Sequence, residues 1–282
     1  MTIETPPHLL INDAVAAALA EDLGDAGDIT TDACIPLSAE MSVVIAARKP
    51  GVIAGIGAAA AAFEMVGPDI ECTIINGDSA HVAPKDKVMT LQGSARAILT
   101  AERVALNFLG HLSGVATATA ALVKAVEGTK AKIACTRKTT PGLRAYEKHA
   151  VRCGGGMNHR FGLYDAVMIK DNHIEAAGGI TGALRAVKSN VGHTVKIEIE
   201  VDTLTQLEEV LREGADIVLL DNMSTDDLKT AVSMAKGKAI LEASGNVTVE
   251  TVRAIAETGV DVISSGWITH SAPTLDLGLD VQ

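Results

Sequence analysis

A chain of 282 residues, 48% of them apolar, can build one large or two ordinary globular domains and is too hydrophobic to be disordered. Its 24 Lys and Arg against 35 Asp and Glu leave a net charge of −11, which argues against a general nucleic-acid surface, since that needs a broad basic face. With three Phe, two Tyr and one Trp, the core must come from Ala, Val, Ile and Leu.

From His8 to Leu23 the apolar residues recur at helical spacing and stop at Gly24, a plausible C-cap. The start of the chain lacks the basic residues of a secretion signal. The longest apolar run, Gly51 to Phe63, is shorter than the about 20 residues a membrane helix needs. Cys34, Cys72, Cys135 and Cys153 make no CxxC pair and read as reduced, buried, small apolar residues. These features together suggest a cytoplasmic protein that engages no membrane.

"GDITTDACIP" supplies turn and cap chemistry, and "MSVVIAARKPGVIAG" reads as strand, turn, strand. Ala58 to Val66 suits a short helix, and Ile70–Ile75 and Lys87–Leu91 suit strands around the Asn76–Asp78 turn. "GIGAAA" at Gly55–Ala60 fits a loose dinucleotide fingerprint, but no clean βαβ unit encloses it, so it is not read as a cofactor site. After Ser94 an Ala/Leu-rich stretch reads as two helices broken near Gly110–Gly114.

From there the chain falls into β-then-α units. Strands are expected at 132–136, 165–170, 195–201, 216–222, 239–245 and 261–266, with amphipathic helices between them. Such repeats build a parallel sheet covered by helices, and their regularity favours a β/α barrel over a doubly wound open sheet.

The strand ends carry the chemistry. In order they offer Arg137-Lys138, Lys170-Asp171, Glu200, Asp221-Asn222, Ser244-Gly245-Asn246 and Ser265-Gly266. Carboxyl ends of parallel strands meet on one rim, where barrel enzymes place their sites. The last two turns, followed by helix starts at Thr248 and Ile268-Thr269, suit a phosphate. Glu200 and Asp221, expected at matching heights, could hold ribose hydroxyls or substrate-borne Mg²⁺. Arg137, Lys138, Arg160 and Lys170, with His159, would gather cations for a small polyanion. Arg144, Lys148 and Arg152 recur at i, i+4 and i+8 and read as a solvated helix face beside Glu147. The glycines of "CGGGMNHR" suit a loop held tight against a ligand or the barrel, and His81, His111 and His193 carry no constellation.

The block "TRKTTPGLRAYEKHAVRCGGGMNHRFGLYDAVMIKDNH", with "EDLGDAGDITTDACIP", "AERVALNFLGHLSGVAT", "IEIEV", "LLDN", "EASGN" and "SSGWITHS", closely resembles the quinolinate phosphoribosyltransferases over nearly the whole chain. A similar fold associated with molybdate genes typically lacks the arginine at Arg137. The resemblance implies an α/β fold: a phosphoribosyltransferase-type β/α barrel of six or seven strands over 105–271. An N-terminal α+β open sandwich would span 1–104 and take in the tail 272–282.

It also implies a homodimer in which Arg103 reaches the partner's site. Arg137, His159 and Arg160 would bind the carboxylates of quinolinate, and Lys138 and Lys170 would meet the pyrophosphate of phosphoribosyl pyrophosphate and the ring. Glu200 and Asp221 would take the ribose and Mg²⁺, and Ser244, Gly245, Asn246, Ser265, Gly266 and His270 the phosphates. Thr136 and Trp267 would join the substrate contacts. No organic cofactor is implied.

Two other readings of the residues stay open: a different phosphoribosyltransferase-like enzyme, and a barrel aldolase using Lys138 or Lys170 as a Schiff base. A non-catalytic phosphosugar-binding protein would not need the paired acids and cations together.

Overall fold

The computed structural model describes residues 8–282. They form two compact units, the first comprising the chain up to Ala120 with Thr140–Gly155 and Ser271–Gln282, the second Ala121–Thr139 and Gly156–His270.

The chain opens with α1 (His8–Leu23), α2 (Ile29–Cys34), β1 (Glu40–Ala47), β2 (Gly51–Val52), α3 (Ile56–Val66), β3 (Glu71–Ile74), β4 (His81–Val82), β5 (Lys87–Ser94) and α4 (Ala95–Ala125). Next come β6 (Lys132–Ala134), α5 (Arg144–Cys153), β7 (Val167–Ile169), α6 (Asp171–Ala176), α7 (Ile180–Asn190), β8 (Ile197–Val201) and α8 (Leu204–Glu213). The chain ends with β9 (Ile217–Asp221), α9 (Thr225–Ala235), β10 (Ile240–Ser244), α10 (Val252–Ala256), β11 (Val262–Ser264), α11 (Trp267–His270) and β12 (Leu277–Val281).

In the first unit an antiparallel sheet runs β12-β1-β5-β3, with the buried run Val43–Ala47 of β1 at its centre. The "GDITTDACIP" segment is more than a turn. Asp28 accepts the N–H of Thr31 at 3.0 Å and caps the short helix α2, so the expected cap chemistry starts a helix.

The expected break at Gly110–Gly114 is absent, because α4 is one continuous helix of 31 residues. Its glycines serve close packing. A Cβ on Gly110 would stand 2.9 Å from Thr274 Cγ2, and one on Gly114 would collide with the backbone of Pro273. Helical glycine costs about 1 kcal/mol against alanine, which the approach of this tail offsets. α4 is long and apolar enough to cross a membrane by length and composition, but 67% of its most apolar window is buried inside the protein, as in a core helix.

The second unit holds a six-stranded parallel sheet in the order β6-β11-β10-β9-β8-β7. Its strands follow chain order except that β6 lies beside β11, so the first and last strands of the sheet are consecutive in the chain, a barrel-like arrangement. Met157 bridges Ala134 of β6 in parallel, and its N–H donates to Ile133 O at 2.8 Å, extending that edge. Val201, Leu220, Ala243, Ile263 and Ile133 are in register and buried. One residue further along three of these strands come Asp221, Ser244 and Ser264, also in register. Alternation of side chains therefore turns the apolar ring to the helices and the polar residues to the interior.

Candidate active site

The cavity at the carboxyl ends of the parallel strands, about 380 Å³, is lined by Thr136, Arg137, Lys138, His159, Arg160, Met168, Lys170, Glu200, Leu219, Asp221, Glu242, Ser244 and Ser264. A second cavity of about 720 Å³ shares Thr136, Lys138, Asp221, Ser244 and Ser264 and adds Asn222, Gly245–Glu250, Ser265–Trp267 and His270. The shared residues make one continuous polar region, roomy enough for two small polyanions. Every expected contact except Arg103 falls on one of the two linings. Arg103 lies exposed on α4 in the first unit.

Arg137 and Arg160 are brought together by different segments, the end of β6 and the loop after α5. Among the described residues their Nε atoms are both buried without a protein partner, although Arg160 Nη1 donates to Ala166 O at 3.0 Å. Burial, then the nearby charge of Arg137, lowers the Arg160 pKa from its usual value. Two crowded guanidinium groups with unfilled donors favour negative charge at this point, because an unsatisfied buried donor costs about 1–3 kcal/mol.

Lys170 Nζ lies 2.6 Å from Glu200 Oε2, so this lysine reaches across to β8. Glu200 and Asp221 do not lie at matching heights. The strand register sets Glu200 beside Leu219 and Asp221 beside Ser244, so Asp221 stands two residues, roughly 6–7 Å, further toward the rim. The expectation failed because adjacent strands in this sheet are staggered, and both acids remain on the same cavity.

Asn222, Gly245 and Asn246 all take positive φ (52°, 104° and 49°), which turns the chain sharply at the mouth. Asn222 Nδ2 donates to Asp221 Oδ2 at 2.7 Å, and a Cβ on Gly245 would run into the Asn222 side chain. Gly266 gives similar room, since its Cβ would fall 3.0 Å from Lys138 Cδ and 3.2 Å from Thr136 Oγ1. The helix start expected at Thr248 is a turn instead, with Thr251 N donating to Thr248 Oγ1, and α10 begins only at Val252.

Beneath the cations lies a group the strand-end reading passed over. His159 Nε2 is 3.0 Å from Glu198 Oε2 and 3.6 Å from Glu242 Oε1, and both acids are buried. The Arg160 N–H donates to His159 Nδ1 at 2.8 Å, so Nδ1 carries no proton and the Nε2 proton faces the acids. Burial and the neighbouring Glu198 push Glu242 up to about 7, with His159 opposing. The sequence held a signal in the two alternate acids of "IEIEV" and the acid inside "AILEAS", where an apolar parallel strand has no need of charge.

Other assignments change in the first unit. Lys148 and Glu147 are fully buried, so the helix face of Arg144, Lys148 and Arg152 is not solvated throughout, and only Arg152 among the three is exposed. Glu147 accepts from Thr140 N at 3.1 Å and pairs with His111 at 2.8 Å, which gives that histidine a partner. Gly154 packs on α4, where its Cβ would come 2.7 Å from Thr119 Cβ. Cys135 and Cys153 are buried as expected, but Cys34 and Cys72 are exposed.

Residues 28–113 match the family described as "Quinolinate phosphoribosyl transferase, N-terminal domain", and residues 115–280 its C-terminal domain. The chain is 44% identical over 274 residues to the nicotinate-nucleotide pyrophosphorylase [carboxylating] of Mycobacterium leprae, covering 95% of this chain and 96% of the relative. It is 42% identical to quinolinate phosphoribosyltransferase [decarboxylating] 1b of Nicotiana tabacum, covering 99% of this chain and 85% of the relative. The solved nicotinate-nucleotide pyrophosphorylase from Francisella tularensis superposes with a TM-score of 0.92 at 40% identity, covering 100% and 99% of the two chains.

Proposed function

The chain belongs to the quinolinate phosphoribosyltransferase family, and from that membership we propose how its own residues carry the reaction. It is a pentosyltransferase that moves the phosphoribosyl group of phosphoribosyl pyrophosphate to quinolinate with decarboxylation, yielding nicotinate mononucleotide, pyrophosphate and CO₂ for NAD synthesis. The assignment of individual residues is our proposal.

Arg137 and Arg160 receive the two ring carboxylates, and the observation that carries this is their pair of buried, unfilled Nε–H donors. His159 holds the Arg160 backbone through Nδ1 and so fixes the receptor from below. Lys138 and Lys170 face the departing pyrophosphate, while Glu200 and Asp221 take the ribose hydroxyls. The Ser244–Asn246 and Ser265–Gly266 turns cradle phosphate in the larger cavity, with Thr136, Trp267 and His270 on its wall. Positive φ at Gly245 and Asn246 turns successive N–H groups toward one concavity.

With the ring fixed, its nitrogen attacks the anomeric carbon as the bond to pyrophosphate breaks. Positioning and charge neutralisation supply the rate, because the transition state is oxocarbenium-like and the leaving group polyanionic. The cationic ring nitrogen then stabilises the electron pair left on the adjacent carbon as its bond to the carboxylate breaks and CO₂ departs, and that carbanion takes up a proton.

Mg²⁺ fits this site as part of the phosphoribosyl pyrophosphate substrate, since two carboxylates of different depth face one cavity beside lysines. Bound there, it would neutralise pyrophosphate charge. Homodimer formation, with Arg103 of one protomer completing the other's site, is supported by the exposure of Arg103 on α4. A cytoplasmic setting is supported by four cysteines that stay as thiols.

Binding and mixed-dimer measurements test these roles. Quinolinate titrated into Arg160→Ala should bind at least about tenfold more weakly, because a charge-assisted fork is lost. Mixing inactive Arg103→Ala and Lys138→Ala proteins should restore activity through one intact shared site. Full binding in the first case, or no restoration from exchanged dimers in the second, would remove the corresponding role.

A further inference from the structure

Within the first unit, three residues with metal-binding side chains converge that take no part in the reaction proposed above. His149 and Cys153 lie at i and i+4 on α5, the spacing that sets two ligands on one helix face. Asp78, from the Asn76–Asp78 turn, meets them there. His149 Nε2 is 2.7 Å from Asp78 Oδ2 and 3.4 Å from Cys153 Sγ, and the three ligand atoms all lie within 4.8 Å of one another. His149 and Cys153 are buried, while the Asp78 side chain keeps 14% exposure, leaving one side open for a water.

We propose that Asp78, His149 and Cys153 form a binding site for a tetrahedral, sulfur-tolerant divalent cation of the zinc type.

Ligand chemistry selects that class. A thiolate, an imidazole and a carboxylate together suit Zn²⁺, whereas Mg²⁺ and Ca²⁺ seek oxygen. The site is therefore separate in chemistry from any Mg²⁺ that arrives with a phosphorylated substrate. A tetrahedral ion with bonds of about 2.0–2.3 Å sets its ligand atoms roughly 3.3–3.6 Å apart. The 3.4 Å edge between His149 and Cys153 already has that length, and the Asp78 carboxylate would swing out by roughly 0.6 Å.

Outer contacts hold the ligands in place. Asp78 Oδ1 accepts the N–H of Ile56 at 3.0 Å, at the first turn of α3, which leaves Oδ2 directed at the imidazole. Electrostatics favour positive charge at this point. Burial lowers the His149 pKa, but the hydrogen bonds and charges of Asp78 and Cys153 outweigh it and raise the pKa to about 10. A divalent ion would take the place of the Nε2 proton and the thiol proton, both released to solvent, and would leave the site neutral overall. It would pin the Asn76–Asp78 turn and the start of α3 to α5.

The test uses the full-length protein, stripped with a chelator and titrated with Co²⁺. One equivalent should produce a thiolate-to-cobalt charge-transfer band in the near ultraviolet with strong tetrahedral absorption in the red, both displaced by Zn²⁺. Cys153→Ser should abolish the charge-transfer band, Asp78→Asn should lower Co²⁺ affinity at least about tenfold, and a Cys34→Ser/Cys72→Ser protein should keep the full spectrum. The wild-type titration needs no variant to fold, and absence of the band there overturns the site. So does a band that survives Cys153→Ser, or unchanged affinity in Asp78→Asn.

Discussion

The imidazole of His159 stands 3.0 Å from the buried carboxylate of Glu198, with Glu242 beyond it at 3.6 Å, so one ring faces two acids at the floor of the site. Burial, with the charge of Glu198 beside it, favours the protonated form of Glu242, while His159 opposes.

That proton has a signature in stability. An unfolded Glu242 ionises near its ordinary 4.5, the folded one at about 7, so between these values the unfolded state binds fewer protons. Stability should therefore fall as pH rises through that window, by up to about 1.4 kcal/mol per pH unit, and level off above it. Glu242→Gln cannot ionise and should lose this decline. Urea unfolding of both proteins between pH 4.5 and 7.5 measures it, and parallel curves would show that Glu242 ionises normally.

The first unit carries a shift of the same sign in a higher pH window at His149, whose folded pKa is about 10 against 6.5 unfolded. In the metal-free protein its contribution is complete below pH 6.5 and is lost as pH rises toward 10. Asp78→Asn removes the acid that holds the imidazolium, so its destabilisation should be large at pH 6 and shrink at higher pH. Equal destabilisation at pH 6 and pH 9.5 would contradict this.

Arg137 offers a buried Nε–H donor that no protein group fills among the described residues. Arg137→Ala should raise the quinolinate KM and lower kcat/KM at least tenfold, or about 1.4 kcal/mol. Arg137→Lys keeps the charge but not the fork and should recover only part of this loss. Steady-state kinetics with quinolinate varied decides it, and wild-type values would remove Arg137 from the site.

Asp221 stands at the rim, one layer above Glu200. Asp221→Asn should raise the Mg²⁺ concentration for half-maximal activity by about tenfold, since a carboxylate ligand is replaced by a neutral amide. Its quinolinate affinity should stay within about twofold, because Arg137 and Arg160 are untouched. Chelation of Mg²⁺ should stop turnover of both proteins. An unchanged Mg²⁺ requirement would place the ion elsewhere.

Much of this was legible in the chain, for identifiable reasons. The barrel strands were visible because buried parallel strands are continuous apolar runs, and all six fell within the expected segments. The linings of the two cavities follow from where those strands end. What the sequence hid depends on neighbours distant in the chain. Gly110 and Gly114 read as a helix break because the Pro273–Leu275 segment that needs their space lies 160 residues away. Lys148 read as solvated because its burial is decided by tertiary packing. The depth difference between Glu200 and Asp221 is a matter of strand register, and Glu242 escapes a reading of strand ends because it lies within a strand.

The same long-range contact can be probed directly. Gly→Ala inside a helix ordinarily gains about 1 kcal/mol. At Gly114 the new Cβ meets the Pro273 backbone, so Gly114→Ala should instead destabilise by about 1–3 kcal/mol. A rise in Tm would mean that the C-terminal tail gives way freely.

The central claim is the reaction, and a product assay by mass spectrometry tests it most directly. The protein is incubated with quinolinate, phosphoribosyl pyrophosphate and Mg²⁺, and nicotinate mononucleotide and CO₂ are quantified together. Equal amounts of the two, dependent on phosphoribosyl pyrophosphate, are expected. No product from quinolinate, with turnover of a different ring acid, would contradict it.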